Sequence, residues 1–142
     1  MRSLLDVNVL LALFDSGHIF HQRARDWLDS VIDDGWASCP ITQAGFVRII
    51  SGTGYAAPIG TAQAVQLLGG ATADPHHRFW PDDIALTGPQ IDRTRLLSHN
   101  QVTDVYLLAL AVAHGGRFVT FDQRISPAAV PGATPAHLLV LH

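Results

Sequence analysis

The sequence contains no glutamate and no lysine: all 12 of its acidic residues are Asp and all 9 of its fixed bases are Arg. Any carboxylate chemistry must therefore use the short Asp side chain, which the backbone has to place. Cysteine occurs once, as Cys39, which excludes an internal disulfide framework and a multi-cysteine zinc site. Charged residues are only 15% of the chain against 48% hydrophobic, the balance of a globular and not a disordered protein. No apolar run approaches the roughly 18 residues of a membrane span. The apolar stretch Leu4–Phe14 is broken by Asp6 and Asn8 and stops at Asp15, so it does not read as a secretion leader. These absences predict a soluble, cytoplasmic protein with no membrane partner. The net charge of −3 argues against a generally basic nucleic-acid binder. It leaves open an enzyme that holds nucleic acid through metal ions and a few arginines.

A chain of 142 residues makes one domain, burying roughly 70% of its unfolded surface. Leu4–Asp6 reads as a strand and Val7–Phe14 as a short helix. His18–Asp33 carries Ile19, Ala24, Trp27, Leu28, Val31 and Ile32 at amphipathic helical spacing, and Gly35 ends it. Trp36–Cys39 reads as a second strand stopped by Pro40, followed by a helix to about Ile50 with Thr42 as its expected N-cap. Thr61–Leu68 reads as a helix and Arg78–Trp80 as a short strand, with Trp36 and Phe79 assigned to the core. Pro89 at a first helical position predicts a helix within Leu86–Leu97. Thr103–His114 reads as a helix capped by Thr103 and ended by Gly115 and Gly116. Arg117–Phe121 and Leu138–Leu141 are the remaining strands. Strands and helices alternate without repeat or linker. Residues 1–142 are therefore predicted to form a single Rossmann-like α/β domain, a parallel sheet of about four to five strands flanked by helices.

Three acids fall at comparable places in that layout. Asp6 and Asp122 each follow an apolar strand, and Asp104 sits at the start of a helix. Strand tips and nearby helix starts share one edge of a doubly wound sheet. Taken singly, Asp6 is either a helix cap or a ligand, Asp104 a partner for the helix dipole, and Asp122 a turn residue. Together they repel one another unless a cation lies between them. Asp carboxylates with water and phosphate oxygens suit Mg²⁺, and such a site activates water for attack on a phosphodiester.

At this point the chain resembles a PIN domain, and most closely the VapC ribonuclease toxins of bacterial toxin–antitoxin pairs. The residues that carry the likeness are Leu4-Leu5-Asp6-Val7-Asn8-Val9-Leu10-Leu11, Cys39-Pro40-Ile41-Thr42-Gln43 with Phe46-Val47-Arg48, Asn100-Gln101-Val102-Thr103-Asp104 with Tyr106-Leu107, and Val119-Thr120-Phe121-Asp122. Four short motifs in register across nearly the whole chain make the signal strong. The resemblance implies a PIN-like three-layer fold and RNA cleavage at a Mg²⁺ site, with Mn²⁺ as substitute, held by Asp6, Asp104 and Asp122. It further implies polar support from Asn8 and Thr103, homodimer formation, and inhibition by a VapB-type antitoxin. One departure stands out: many PIN domains carry Glu where this chain has Gln43, which keeps an acceptor oxygen but removes a charge. Gln43 is placed at the rim of the catalytic group, as a natural variant, an engineered substitution or the mark of an impaired copy.

Arg48, Arg117 and Arg124 lie nearest the acids in sequence and are the candidate phosphate contacts. The pairs His18/His21 and His76/His77 have no Cys or Glu beside them and are read as surface histidines. Cys39 is read as a packing residue. Two other readings compete. One is a catalytically impaired PIN module that binds RNA or a partner protein. The other is a phosphoryl-transfer domain of the response-receiver type, which requires a second acid beside the first and a lysine near the last strand. Here Asn8 stands at the former position and no lysine exists.

Overall fold

The computed structural model describes all of residues 1–142. Five strands, β1 (Ser3–Leu5), β2 (Trp36–Ser38), β3 (His77–Phe79), β4 (Arg117–Thr120) and β5 (Leu138–Val140), form one parallel sheet in the order β3-β2-β1-β4-β5. Five helices connect or cover them: α1 (Val7–Phe14), α2 (His21–Val31), α3 (Pro40–Ile50), α4 (Thr61–Thr72) and α5 (Val102–Ala113). No helix is long and apolar enough to cross a membrane.

The three layers follow from the two-residue period of a strand. In β1, Leu4 joins the core cluster with α5 while Leu5 joins the one with α1 to α4. The same split sends Phe118 to the α5 side and Val119 to the other, and Ala37 and Trp36 likewise. Both sheet faces are thus apolar, as a parallel sheet requires. Close approach within the larger cluster depends on Gly45, where an added Cβ would lie 2.7 Å from Val7 Cγ2. Gly35 turns the chain into β2 with φ of 78°, and a Cβ there would meet the Arg2 guanidinium at 2.1 Å. Arg2 Nη1 donates to the carbonyls of His76 (2.7 Å) and Trp36 (3.2 Å), joining β3 to β2 at their starts.

Several local expectations are corrected. The 86–97 segment holds no α-helix, only a single 3₁₀ turn at Arg93–Arg95. It is anchored by buried Ile91 and by Asp92 N donating to Ala129 O at 2.8 Å. A lone anchoring apolar side chain does not make the stripe that a helix needs to bury. Thr42 is not the N-cap of α3. Cys39 holds that place with Pro40 first in the helix, and Thr42 Oγ1 closes the turn by accepting from Cys39 N at 3.0 Å. Thr103 does not cap α5 either. The chain enters α5 through a 3₁₀ turn at His99–Gln101 whose cap is Ser98, and Thr103 is exposed. Phe79 is 52% exposed on the edge strand β3, whereas Trp80, one residue on, is buried and stacks on His114 at 4.8 Å. A one-residue step along a strand exchanges its faces.

Candidate active site

The strand order reverses between β1 and β4; β1 leads into α1 on one face, and α5 leads into β4 from the other. A crevice opens at such a switch point, beyond the carboxyl ends of the strands. Asp6 and Asp122 follow those two strands, and Asp104 lies in the first turn of α5. The topology therefore delivers all three acids to one place.

Asp6 is the N-cap of α1, its Oδ1 accepting from Val7 N at 2.8 Å. Its Oδ2 accepts from the Thr120 hydroxyl at 2.7 Å. Thr120 is fully buried, and its Oγ1 also accepts from Asp122 N at 3.0 Å and from Asn8 Nδ2 at 3.3 Å. Asn8 Oδ1 accepts in turn from Phe121 N at 3.2 Å. One hydroxyl at the end of β4 thus fixes the first acid, the turn that presents the third, and the Asn8 side chain. Asn8, for which the resemblance implies a supporting role, bonds both Thr120 and the turn before Asp122. Thr120 is given no role by that resemblance, although it stands inside the quoted motif Val119-Thr120-Phe121-Asp122. Its signal would have been the alternation of β4: flanked by inward Val119 and the turn, a hydroxyl-bearing residue in a buried strand needs a partner.

The acids differ in electrostatic state. Burial raises the carboxyl of Asp6, opposed by the Thr120 and Val7 hydrogen bonds and reinforced by the charge of Asp122. Asp104 is pushed up to about 6, by burial first and then by Asp6 and Asp122. Asp122 is held below the usual carboxylate range by its hydrogen bonds with Arg124, whose Nε donates to Asp122 Oδ1 at 3.1 Å. Asp104 and Asp122 line a cleft of about 230 Å³ with Ser98, Gln101, Arg124 and Ser126 among its walls. No three His, Cys or Asp side chains are drawn into a chelate as they stand. The donor set nevertheless fits a hard divalent cation: three carboxylates, oxygen atoms only, with a mutual repulsion that a cation relieves.

Of the candidate phosphate contacts, Arg124 is at the cleft, and 90% of its side chain is exposed. Arg117 is not. It begins β4, five residues and about 16 Å of extended chain from Asp122. There it donates from Nε to Ser3 Oγ at 3.0 Å and packs on Trp27. Arg48 sits exposed in the last turn of α3, at the end of the helix remote from the acidic edge. Gln43 lies one strand away from Asp6. Its Nε2 donates to Ser38 Oγ at 3.0 Å, and Ser38 Oγ lies 2.8 Å from His77 Nε2. Its amide nitrogen is committed towards β3 and not towards the carboxylates. Gln43→Glu should therefore raise the pKa of His77, now held down chiefly by burial, because a nearby negative charge favours imidazolium. An NMR titration of His77 reads this directly, and an unchanged curve would mean that residue 43 faces elsewhere. The other histidines of the two pairs make local contacts: His18 Nδ1 accepts from Phe20 N at 3.0 Å, His21 Nδ1 meets Ala12 O at 2.7 Å, and His76 pairs with Asp74. Cys39 is fully buried, and burial pushes its thiol up to about 11, so it is a packing residue and no nucleophile.

Comparison with known proteins agrees with this fold. The PIN domain family model matches residues 3–131. The chain belongs to the PIN-domain family. Within it, this PIN domain is 58% identical over 142 residues to Ribonuclease VapC44 of Mycobacterium tuberculosis, covering 99% of this chain and 100% of that one. It is 43% identical over 134 residues to Ribonuclease VapC39 of the same organism, covering 93% and 96%. Among solved structures, a chain of VapBC2 from Rickettsia felis, bound to a DNA fragment from its promoter, superposes with a TM-score of 0.63. That match is at 15% identity and covers 100% of this chain and 98% of that one, so it speaks to the fold.

Proposed function

We propose that this PIN domain is a divalent-metal-dependent endoribonuclease and the toxin of a VapBC-type pair. The observation that carries the reading is the convergence of Asp6, Asp104 and Asp122 at the switch point of a chain 58% identical to a protein named as a ribonuclease. The three carboxylates would hold Mg²⁺, or Mn²⁺ in its place. When bound, the ion would polarise the phosphodiester and activate a water for in-line attack.

The chain's own residues account for the rest. Thr120 and Val7 N orient Asp6 so that its carboxylate keeps a fixed direction. Asn8 pins the turn after β4, and with it Asp122, against α1. Arg124 balances the charge of Asp122 and presents unused guanidinium hydrogens to a phosphate entering the cleft. Gln43 stands at the rim, a neutral group in the first turn of α3, the helix that follows the strand beside β1, and Thr103 faces the solvent beside Asp104. No side chain is arranged as a nucleophile, so hydrolysis proceeds without a covalent protein intermediate.

The wider reading is a homodimer that acts on RNA in the cytoplasm and is silenced by a VapB-type antitoxin, whose basic groups would suit the acidic cluster. Expression in a bacterial host should arrest growth, and co-expression of the antitoxin encoded beside it should relieve the arrest. Growth unaffected by well-folded protein would favour the second reading, an impaired PIN module that binds RNA, to which Gln43 lends the specific support.

A further inference from the structure

The segment expected to be helical builds a second groove. The Arg93–Arg95 turn packs against a second 3₁₀ turn, Pro127–Ala129, which follows β4. Between them lies a cavity of about 280 Å³ lined by Thr94, Arg95, Leu97, Gln101, Ser126 and Ala129 among others. Gln101, Val105 and Ser126 line both this groove and the cleft that holds Asp104 and Asp122. The two therefore adjoin, sharing a wall at the start of α5.

The chemistry of the groove suits a nucleotide. Arg95 lines it and is exposed, Arg93 is exposed two residues earlier in the same turn, and the guanidinium of Arg95 has only a long pairing with Asp92, 3.9 Å from Nε to Oδ2. Asp92 Oδ1 is already occupied by the backbone N and hydroxyl of Thr94, at 3.1 and 2.6 Å. Leu97 is 83% exposed beside the groove, although its backbone is fixed by Leu97 N donating to Gln101 Oε1 at 3.3 Å. Such a large apolar side chain held at a rim offers a face to a base. The volume, close to the lower bound of about 300 Å³ for ligand pockets, suits a single nucleotide.

We infer that this groove is the subsite for the nucleotide adjoining the scissile phosphate, with Arg95 and Arg93 on its phosphate oxygens and Leu97 against its base. The inference rests on the ribonuclease reading above and gives that site its substrate-positioning residues. Arg124 then belongs to the scissile phosphate and the 93–95 turn to its neighbour.

The test is binding of a fluorescein-labelled single-stranded 12-mer RNA of random sequence, followed by anisotropy across a range of salt concentrations. Arg95→Ala should weaken binding by about threefold and flatten the dependence of log K on log salt by about 0.7, the amount for one phosphate contact on a single strand. Arg93→Ala/Arg95→Ala should give about tenfold and twice that flattening. Arg25→Ala, on the solvent side of α2, is the charge-matched control and should leave the slope unchanged. All three changes are at exposed positions, and thermal melts check that each variant folds. Equal affinity and slope for wild type and Arg95→Ala overturn the inference and leave the ribonuclease reading standing. An equal loss in Arg25→Ala also overturns it, because the effect is then one of overall charge. Absence of binding by the wild type, together with absence of cleavage, removes both readings.

Discussion

Asp104→Asn should lower RNA cleavage by roughly 10³-fold and, without added metal, make the protein more stable. The first effect follows from removing one of the three carboxylates proposed to hold the ion, which is expected to forfeit about 4 kcal/mol of transition-state stabilisation. The second follows from the state of Asp104 in the metal-free fold, where its carboxyl is pushed up to about 6 by burial and by the charges of Asp6 and Asp122. A free Asp titrates near 3.9, so the folded protein holds an extra proton between about 4 and 6. Its stabilising contribution is complete below that window and is lost as pH rises through about 6. At neutral pH the ionised side chain is a liability, which Asn removes. Because Asp104 is only half buried, solvent screening reduces the gain to about 1 kcal/mol, or roughly 3 °C in Tm. Thermal melts of both proteins in EDTA at pH 7.5 and pH 5 measure it. The gap should shrink at pH 5. A variant that melts lower than wild type at both values would contradict the electrostatic account.

Thr120→Val should be costly in a different way. The substitution keeps the shape of the side chain but removes the hydroxyl that donates to Asp6 Oδ2 at 2.7 Å and accepts from Asp122 N at 3.0 Å. A hydrogen bond to a charged group contributes about 1.5–3 kcal/mol, and Asp122 N would be left unpaired. We expect a loss of about 2–3 kcal/mol, or roughly 5–10 °C in Tm. Cleavage should fall by about 10–100-fold, the usual effect of losing a group that orients a metal ligand. The half-saturating Mg²⁺ concentration should rise, since Asp6 loses a bond that favours its charged form. Thr120→Ser retains the hydroxyl and should recover most of both losses. If Ser and Val behaved alike, the packing of the methyl group and not the hydrogen bond would be the cause.

Much of the fold was legible because the elements that matter have unambiguous periods. The helix at Val7–Phe14 was read with the bounds it has, and the apolar runs before Asp6 and Asp122 could only be buried strands. The shared placement of the acids was legible from topology, since the ends of the two strands flanking a switch point lie on one edge of the sheet. Other features were illegible for physical reasons. Arg117 and Arg48 were near the acids in sequence, but an extended strand and a helix each carry the chain away from the active edge. The 86–97 segment offered a helix-start proline with no apolar stripe behind it. Thr42 and Thr103 have the chemistry of caps, yet Pro40 and the turn at His99–Gln101 begin those helices earlier. Thr120 was hidden because a buried hydroxyl shows its value only when its partners, 112 and 114 positions away, are in place.

The central claim, that Asp6, Asp104 and Asp122 act as one divalent-metal site that cuts RNA, meets its most direct test in a metal titration. Mg²⁺ is added to EDTA-stripped protein while cleavage of a structured, fluorescently labelled RNA is followed, with wild type and Asp104→Asn measured side by side. The account predicts no cleavage by wild type before the ion is added, a saturable rise on addition, and a near-flat response from the variant. Cleavage that persists in EDTA, or a variant that responds to Mg²⁺ as wild type does, would contradict it.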